Sequence, residues 1–106
     1  MKVEVYIKSR QGDYEAKGVF EDGKLIVKKG SKIKLSFAEH IRGGQKARSY
    51  RDDPAYVDAE DNVLKDCEFG SPSTAAQFIT GTSTNGYTKW FVKEKTTLSK
   101  YLGRDK

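Results

Sequence analysis

Positions 2–8 constrain the fold more than any other stretch. Val3, Val5 and Ile7 alternate there with Lys2, Glu4, Tyr6 and Lys8, the two-residue period that sends successive side chains to opposite faces of a sheet. One face of such a strand packs inward while the other meets water. The period returns in Tyr14, Ala16, Gly18 and Phe20. That run meets the turn signal Glu21-Asp22-Gly23, after which the β-rich Leu25-Ile26-Val27 begins, so a hairpin is predicted.

Beyond Gly30-Ser31 the pattern weakens. Ile33 and Leu35 suggest further extended chain, helix formers around Gln45 to Arg51 predict a short helix, and the chain turns at Pro54. Tyr56-Val57 and Val63-Leu64 flank the turn formers Asp58-Ala59-Glu60-Asp61-Asn62. Two short strands are predicted there, the second running on to Cys67 or Phe69. The clearest helix signal starts at Ser71, a capping hydroxyl followed by Pro72 preset for the first helical position. Gly81 terminates it, and Ala75, Phe78 and Ile79 share the buried face. Asn85-Gly86 reads as a turn able to take positive φ. Tyr87 to Val92 then reads as a strand with Trp90 and Val92 on one side and Lys89, Phe91 and Lys93 on the other. A last short helix places Leu98, Tyr101 and Leu102 inward and ends at Gly103. The fold class is α+β: a single small domain over residues 1–106, mainly an antiparallel sheet with two or three short helices.

A chain of 106 residues holds one core, burying roughly two thirds of the surface its unfolded form exposes. It contains no run of eighteen or more apolar residues and no uninterrupted apolar stretch at the N-terminus, so neither a membrane nor export is expected. Cys67 is the single cysteine, which rules out an intrachain disulfide and fits a cytoplasmic setting. The net charge of +5 is uneven. Residues 1–37 carry nine basic and five acidic groups (+4), residues 38–70 five and eight (−3), and residues 71–106 six and two (+4). Basic ends suit an anionic partner, because clustered Lys and Arg release counterions from a polyanion; solubility alone accounts for the same asymmetry.

Catalytic chemistry finds few groups to work with. His40 and Cys67 stand alone in their residue types, too few for a His/Cys metal site. Asp66 and Glu68 flank Cys67 and disfavour its thiolate, so a packed strand residue is expected. No motif orients His40 as a base. The acidic cluster Asp58 to Asn62 lacks the glycine of a calcium loop and has Phe69 where the bidentate Glu belongs. Gly43-Gly44 lacks the spacing and the Lys-Ser/Thr ending of a phosphate-cradling loop. No metal and no cofactor is expected. What remains is interleaved cations and rings: Lys89, Phe91 and Lys93 near one end, Tyr6 and Lys8 near the other, a composition suited to nucleic-acid backbone and bases. Trp90, opposite those lysines, is expected in the core.

The run SPSTAAQFITGTSTNGYTKW, from Ser71 to Trp90, resembles a bacterial family known only as a domain of unknown function, number 4357. The landmarks are Ser71, Pro72, Ser73, Ala75, Ala76, Gly81, Ser83, Asn85, Gly86, Tyr87 and Trp90. Ala16, Gly18, Leu25, Val27, Lys29, Gly30 and Ser31 resemble the family's N-terminal part, so the resemblance runs from about Tyr14 to Leu102. Ser83-x-Asn85-Gly86 with Trp90 is also similar to the restriction-enzyme-adenine-methylase-associated (RAMA) domain, which accompanies DNA-modifying enzymes. That similarity implies a DNA-binding accessory module linked to restriction and modification. The chain departs from these relatives at Thr82, where Arg is frequent, at Tyr87, where Trp is frequent, and at Thr96-Thr97, where a Gly is common.

Two classes of function follow. In the first, Lys29, Lys32, Lys89 and Lys93 meet the phosphates of DNA while Asn85 and Tyr87 approach a base, the Asn amide matching the N6/N7 edge of adenine. In the second, the acidic middle from Asp52 to Glu68 and the basic ends dock a protein partner by charge complementarity. A nuclease is disfavoured, because metal-assisted cleavage needs converging carboxylates and these cluster around turns.

Overall fold

The computed structural model of the chain describes residues 2–34, 45–82, 84–93 and 96–103. Leu35, His40, Gly43-Gly44 and Ser83 lie outside the described residues.

The alternating N-terminal run forms β1 (Lys2–Lys8), whose odd positions are buried and even positions exposed. It pairs antiparallel with β2 (Glu15–Glu21), in register from Lys2 opposite Glu21 to Lys8 opposite Glu15. A two-residue turn leads to β3 (Lys24–Val27). Asp22 (φ 52°) and Gly23 (φ 84°) both take the left-handed conformation there, the twist a tight hairpin between right-twisted strands requires. β4 (Cys67–Phe69) adds beside β3. β5 (Phe91–Lys93) returns beside β1, and β6 (Thr96–Thr97) closes that edge. The sheet is antiparallel throughout, in the order β4-β3-β2-β1-β5-β6.

Helices cover one face. α1 (Gln45–Arg51) and α2 (Pro72–Thr80) are the longer two; α3 (Gly86–Lys89) and α4 (Leu98–Tyr101) are single turns. The core lies between them and the inward residues Val3, Val5, Ile7, Ala16, Leu25, Val27, Cys67 and Phe69. An aromatic cluster anchors α1 to α2 and β4: Tyr50 sits edge-on to Phe69 and Phe78, with ring centroids at 5.3 and 6.0 Å. Such pairs add about 0.5–1.5 kcal/mol beyond burial. The other face, with Glu4, Tyr6, Lys17 and Lys28, is open among the described residues.

Three expectations change. First, Tyr87 to Val92 is not one strand: α3 takes Gly86–Lys89, and only Phe91–Lys93 pairs in the sheet. Asn85 (φ −84°) caps α3, its Oδ1 accepting the Tyr87 N–H at 3.0 Å, so the dipeptide does not need positive φ. Gly86 is needed for space, because a Cβ there would collide with the Pro72 carbonyl and the Ser73 nitrogen. Second, Val57 and Val63 form an isolated bridge and β4 starts separately at Cys67. Between them Asp66 leaves the strand path to accept the Lys29 N–H (2.9 Å) and the Lys28 ammonium (3.0 Å). Third, α4 buries Leu98 and Ser99 while Tyr101 is 44% exposed, because a single turn presses only its first residues against the neighbouring elements.

Gly86→Ala should cost about 3 kcal/mol, at the upper end for overpacking, because the obstructing atoms are backbone. Urea unfolding of the variant, with an unchanged m-value, measures this.

Candidate nucleic-acid interface

Basic residues from three separate segments converge at the end where β1 leaves the sheet. Lys8 ends β1, Arg10 follows in the turn, Lys34 lies beyond the bridge at Lys32, and Lys89 closes α3. The Lys34 N–H donates to the Ile79 carbonyl (2.9 Å), which ties its segment to the C-terminal turn of α2. Together they line a cleft of about 490 Å³ whose walls also include Thr80, Thr82, Thr88 and Phe91. Asp13 is its only carboxylate among the described residues. Four cations against one anion suit a phosphodiester backbone, while the Thr80 and Thr88 hydroxyls donate within the protein, to the Thr82 and Asn85 carbonyls.

Lys29 and Lys32 stand elsewhere. They line a wider groove of about 860 Å³ across the open sheet face with Lys17, Lys28, Glu4, Glu15 and Tyr6. Their backbone is fixed: Lys32 and Glu15 exchange both N–H···O bonds (2.8 and 3.0 Å), and buried Ser31 accepts the Lys17 N–H at 3.1 Å. Charge in this groove is mixed, since Glu4 and Glu15 line it and Asp66 pairs with Lys28. The cleft therefore has the stronger positive field. Of the residues expected at the site, Lys89 is in the cleft, Lys29 and Lys32 are in the groove, and Lys93 belongs to β5. Asn85 is exposed at the cap of α3, and half-buried Tyr87 packs edge-on against Phe20 at 6.3 Å. The structure does not bring these six together.

The two rings singled out at opposite ends of the sequence do meet. Tyr6 and Phe91 are cross-strand partners, with near-parallel rings (30°) and centroids 6.0 Å apart on the open face. Tyr6 lines the groove and Phe91 the cleft, so this pair joins the two regions. Arg10, Lys17 and Lys34 were not singled out in the sequence. The alternation of β1 and β2 marks Lys17 as outward, but no local signal links Arg10 and Lys34 to Lys89.

Elsewhere the ionisable groups have structural work. Asp58 accepts the Glu60 and Asn62 N–H groups (2.9 and 3.0 Å), which holds its carboxyl below the usual range and closes the acidic turn on itself. Burial, aided by Asp66, pushes the Cys67 thiol up to about 12. Arg51 is lowered to about 10 by burial, and its Nε–H donates to the Phe78 carbonyl at 3.0 Å. Among the described residues no group of three or more His, Cys, Asp or Glu could hold a metal ion, and no helix is long and apolar enough to cross a membrane.

The model of the family described as a domain of unknown function (DUF4357) matches residues 5–102. The chain belongs to this family. Comparison with curated proteins and with solved structures found no match. The DUF4357 match extends further toward the N-terminus than the resemblance from Tyr14 and takes in most of β1. The DUF4357 landmarks in this chain are largely architectural. Ser71 caps α2 by accepting the Thr74 N–H (3.2 Å), and Gly81 ends it in the left-handed conformation (φ 73°). Pro72 offers its carbonyl to the Trp90 Nε1–H (3.1 Å), Ser73 Oγ accepts the Gly86 N–H (3.0 Å), and Trp90 is fully buried.

Three outcomes follow. Cys67 should resist alkylation at pH 8 in the native protein and react once urea unfolds it, as mass spectrometry would read. A thiol raised in the fold stabilises it fully below the unfolded value near 9, and that contribution is lost as pH rises toward about 12. Asn85→Ala should cost about 1 kcal/mol through loss of the cap, while Asn85→Ser keeps it within a few tenths, as urea midpoints would show.

Proposed function

We propose that this chain is a non-catalytic nucleic-acid-binding accessory module, acting on DNA alongside enzymes of restriction and modification. The observation that carries the reading is the cleft of Lys8, Arg10, Lys34 and Lys89, with one opposing carboxylate among the described residues. Phosphates gain affinity at such a site by counterion release, without needing a reactive group. The similarity of Ser83-x-Asn85-Gly86 and Trp90 to the RAMA domain supplies the link to DNA-modifying enzymes.

The alternative, a protein scaffold using the acidic middle, has less behind it. Asp53 accepts the Ala55 N–H (2.9 Å), Asp58 closes its own turn, and Asp66 holds Lys28 and the Lys29 N–H. Asp52, Asp58 and Asp61 line a small pocket together with Arg48 and Arg51. That acidic stretch is largely spent on its own fold and its own arginines, which leaves little net field for a basic partner.

Four cation–phosphate contacts should lower affinity by about fifty- to 150-fold between about 50 and 200 mM salt, with single strands at the lower end. Fluorescence anisotropy with labelled DNA reads this directly. Lys89→Ala and Arg10→Ala should each reduce the log–log salt slope by about 0.7–0.9 on any sequence. Lys65→Ala, remote from the cleft over the Tyr56 ring, should leave affinity within about twofold. Salt-insensitive retention on a protein partner, with no DNA bound at the lower salt, would establish the scaffold instead.

A further inference from the structure

The elements that would read a duplex are tied into the fold. A major groove admits a protruding helix or two-stranded ribbon, because only base edges are presented there. α3, which carries Asn85 at its cap, is one turn long and is held down at both ends. Gly86 lies against the Pro72–Ser73 backbone, and the following Trp90 is fully buried. Tyr87 turns inward onto Phe20. The acceptor oxygen of Asn85 already takes the Tyr87 N–H. Asn85 and Lys89 are exposed on it, but one turn held at both ends is too short to enter a groove as a reading helix.

The open sheet face has the opposite character. Tyr6 keeps 36% of its surface in water, uncommon for a large ring next to a core, and lies nearly parallel to Phe91. Ring faces have no partner in a duplex, whose base faces are stacked on one another; they suit unpaired bases, which stack on aromatic side chains whatever their identity. The cleft cations adjoin this pair. Lys8 lies two residues along β1 from Tyr6, on the same face, and Phe91 itself lines the cleft. On the other side Lys17 is the cross-strand partner of Tyr6. Rings flanked by cations on both sides form a track that a single backbone can follow.

We infer that the nucleic acid taken by this chain is an unpaired strand, with a base stacked on the Tyr6–Phe91 platform and adjoining phosphates in the cleft of Lys8, Arg10, Lys34 and Lys89. This rests on the nucleic-acid reading above and narrows it from DNA at large to single-stranded DNA.

The test compares a labelled oligothymidylate of about fifteen nucleotides with a duplex of equal length, by anisotropy at about 50 mM salt. The unpaired strand should bind at least about tenfold more tightly, and Tyr6→Ala should weaken it by about tenfold while leaving any residual duplex binding unchanged. Tyr6→Phe should retain most of the affinity. Tyr6→Trp adds a readout independent of affinity: its fluorescence should be quenched by the oligothymidylate, against a background from buried Trp90 measured in the parent chain. Equal or tighter duplex binding, with Tyr6→Ala silent, overturns the unpaired-strand assignment and leaves the nucleic-acid reading standing. Failure of both oligonucleotides to bind removes the nucleic-acid reading itself.

Discussion

The peptide joining Pro72 to Ser73 is the point on which the C-terminal half of the structure closes. Its carbonyl accepts the indole N–H of Trp90, its backbone lies against Gly86 closely enough to exclude any side chain there, and the Ser73 hydroxyl accepts the Gly86 N–H. These contacts turn the first turn of α2 into a socket for α3. A buried indole N–H without a partner would cost about 1–3 kcal/mol, so proline at this position does two jobs. Its ring begins the helix, where a missing N–H does no harm, and its carbonyl satisfies the largest buried side chain of the core.

From that socket the rest follows by connection. α3 ends at Lys89, Trp90 enters the core, and Phe91 emerges on the opposite side of the chain as the first residue of β5. Burying Trp90 therefore aims its neighbour Phe91 at the open face, next to Tyr6. The same geometry places Lys89 beside Lys8 and Arg10. The candidate site is thus set by packing at buried residues, among them Pro72, Gly86 and Trp90.

How much of this was legible in the sequence depended on whether the cause was local. β1 to β3 were plain because a two-residue period marks burial directly, and α2 was plain because Ser71, Pro72 and Gly81 carry its start and stop in their own chemistry. Trp90 in the core followed from its place opposite lysines. α3 was hidden, because Asn followed by Gly serves equally as a tight turn and as a capped helix start. The deciding fact, a backbone from α2 pressing on Gly86, comes from another part of the chain. The cleft was hidden for the same reason: Arg10, Lys34 and Lys89 become neighbours only through tertiary structure, and no spacing between them announces it.

The order of strands carries one more consequence. β1, β2 and β3 are sequential neighbours joined by short turns, whereas β5 reaches β1 only after most of the chain has been laid down. Contacts between distant residues require closing a long loop, which slows their formation relative to a hairpin. The N-terminal meander can therefore take shape early with its cations already displayed, while Tyr6 waits for Phe91. A chain emerging from the ribosome, or one clipped after α2, would present charge without the ring platform. The Tyr6–Phe91 pair is in this sense a certificate of completed folding, issued only when β5 docks beside β1.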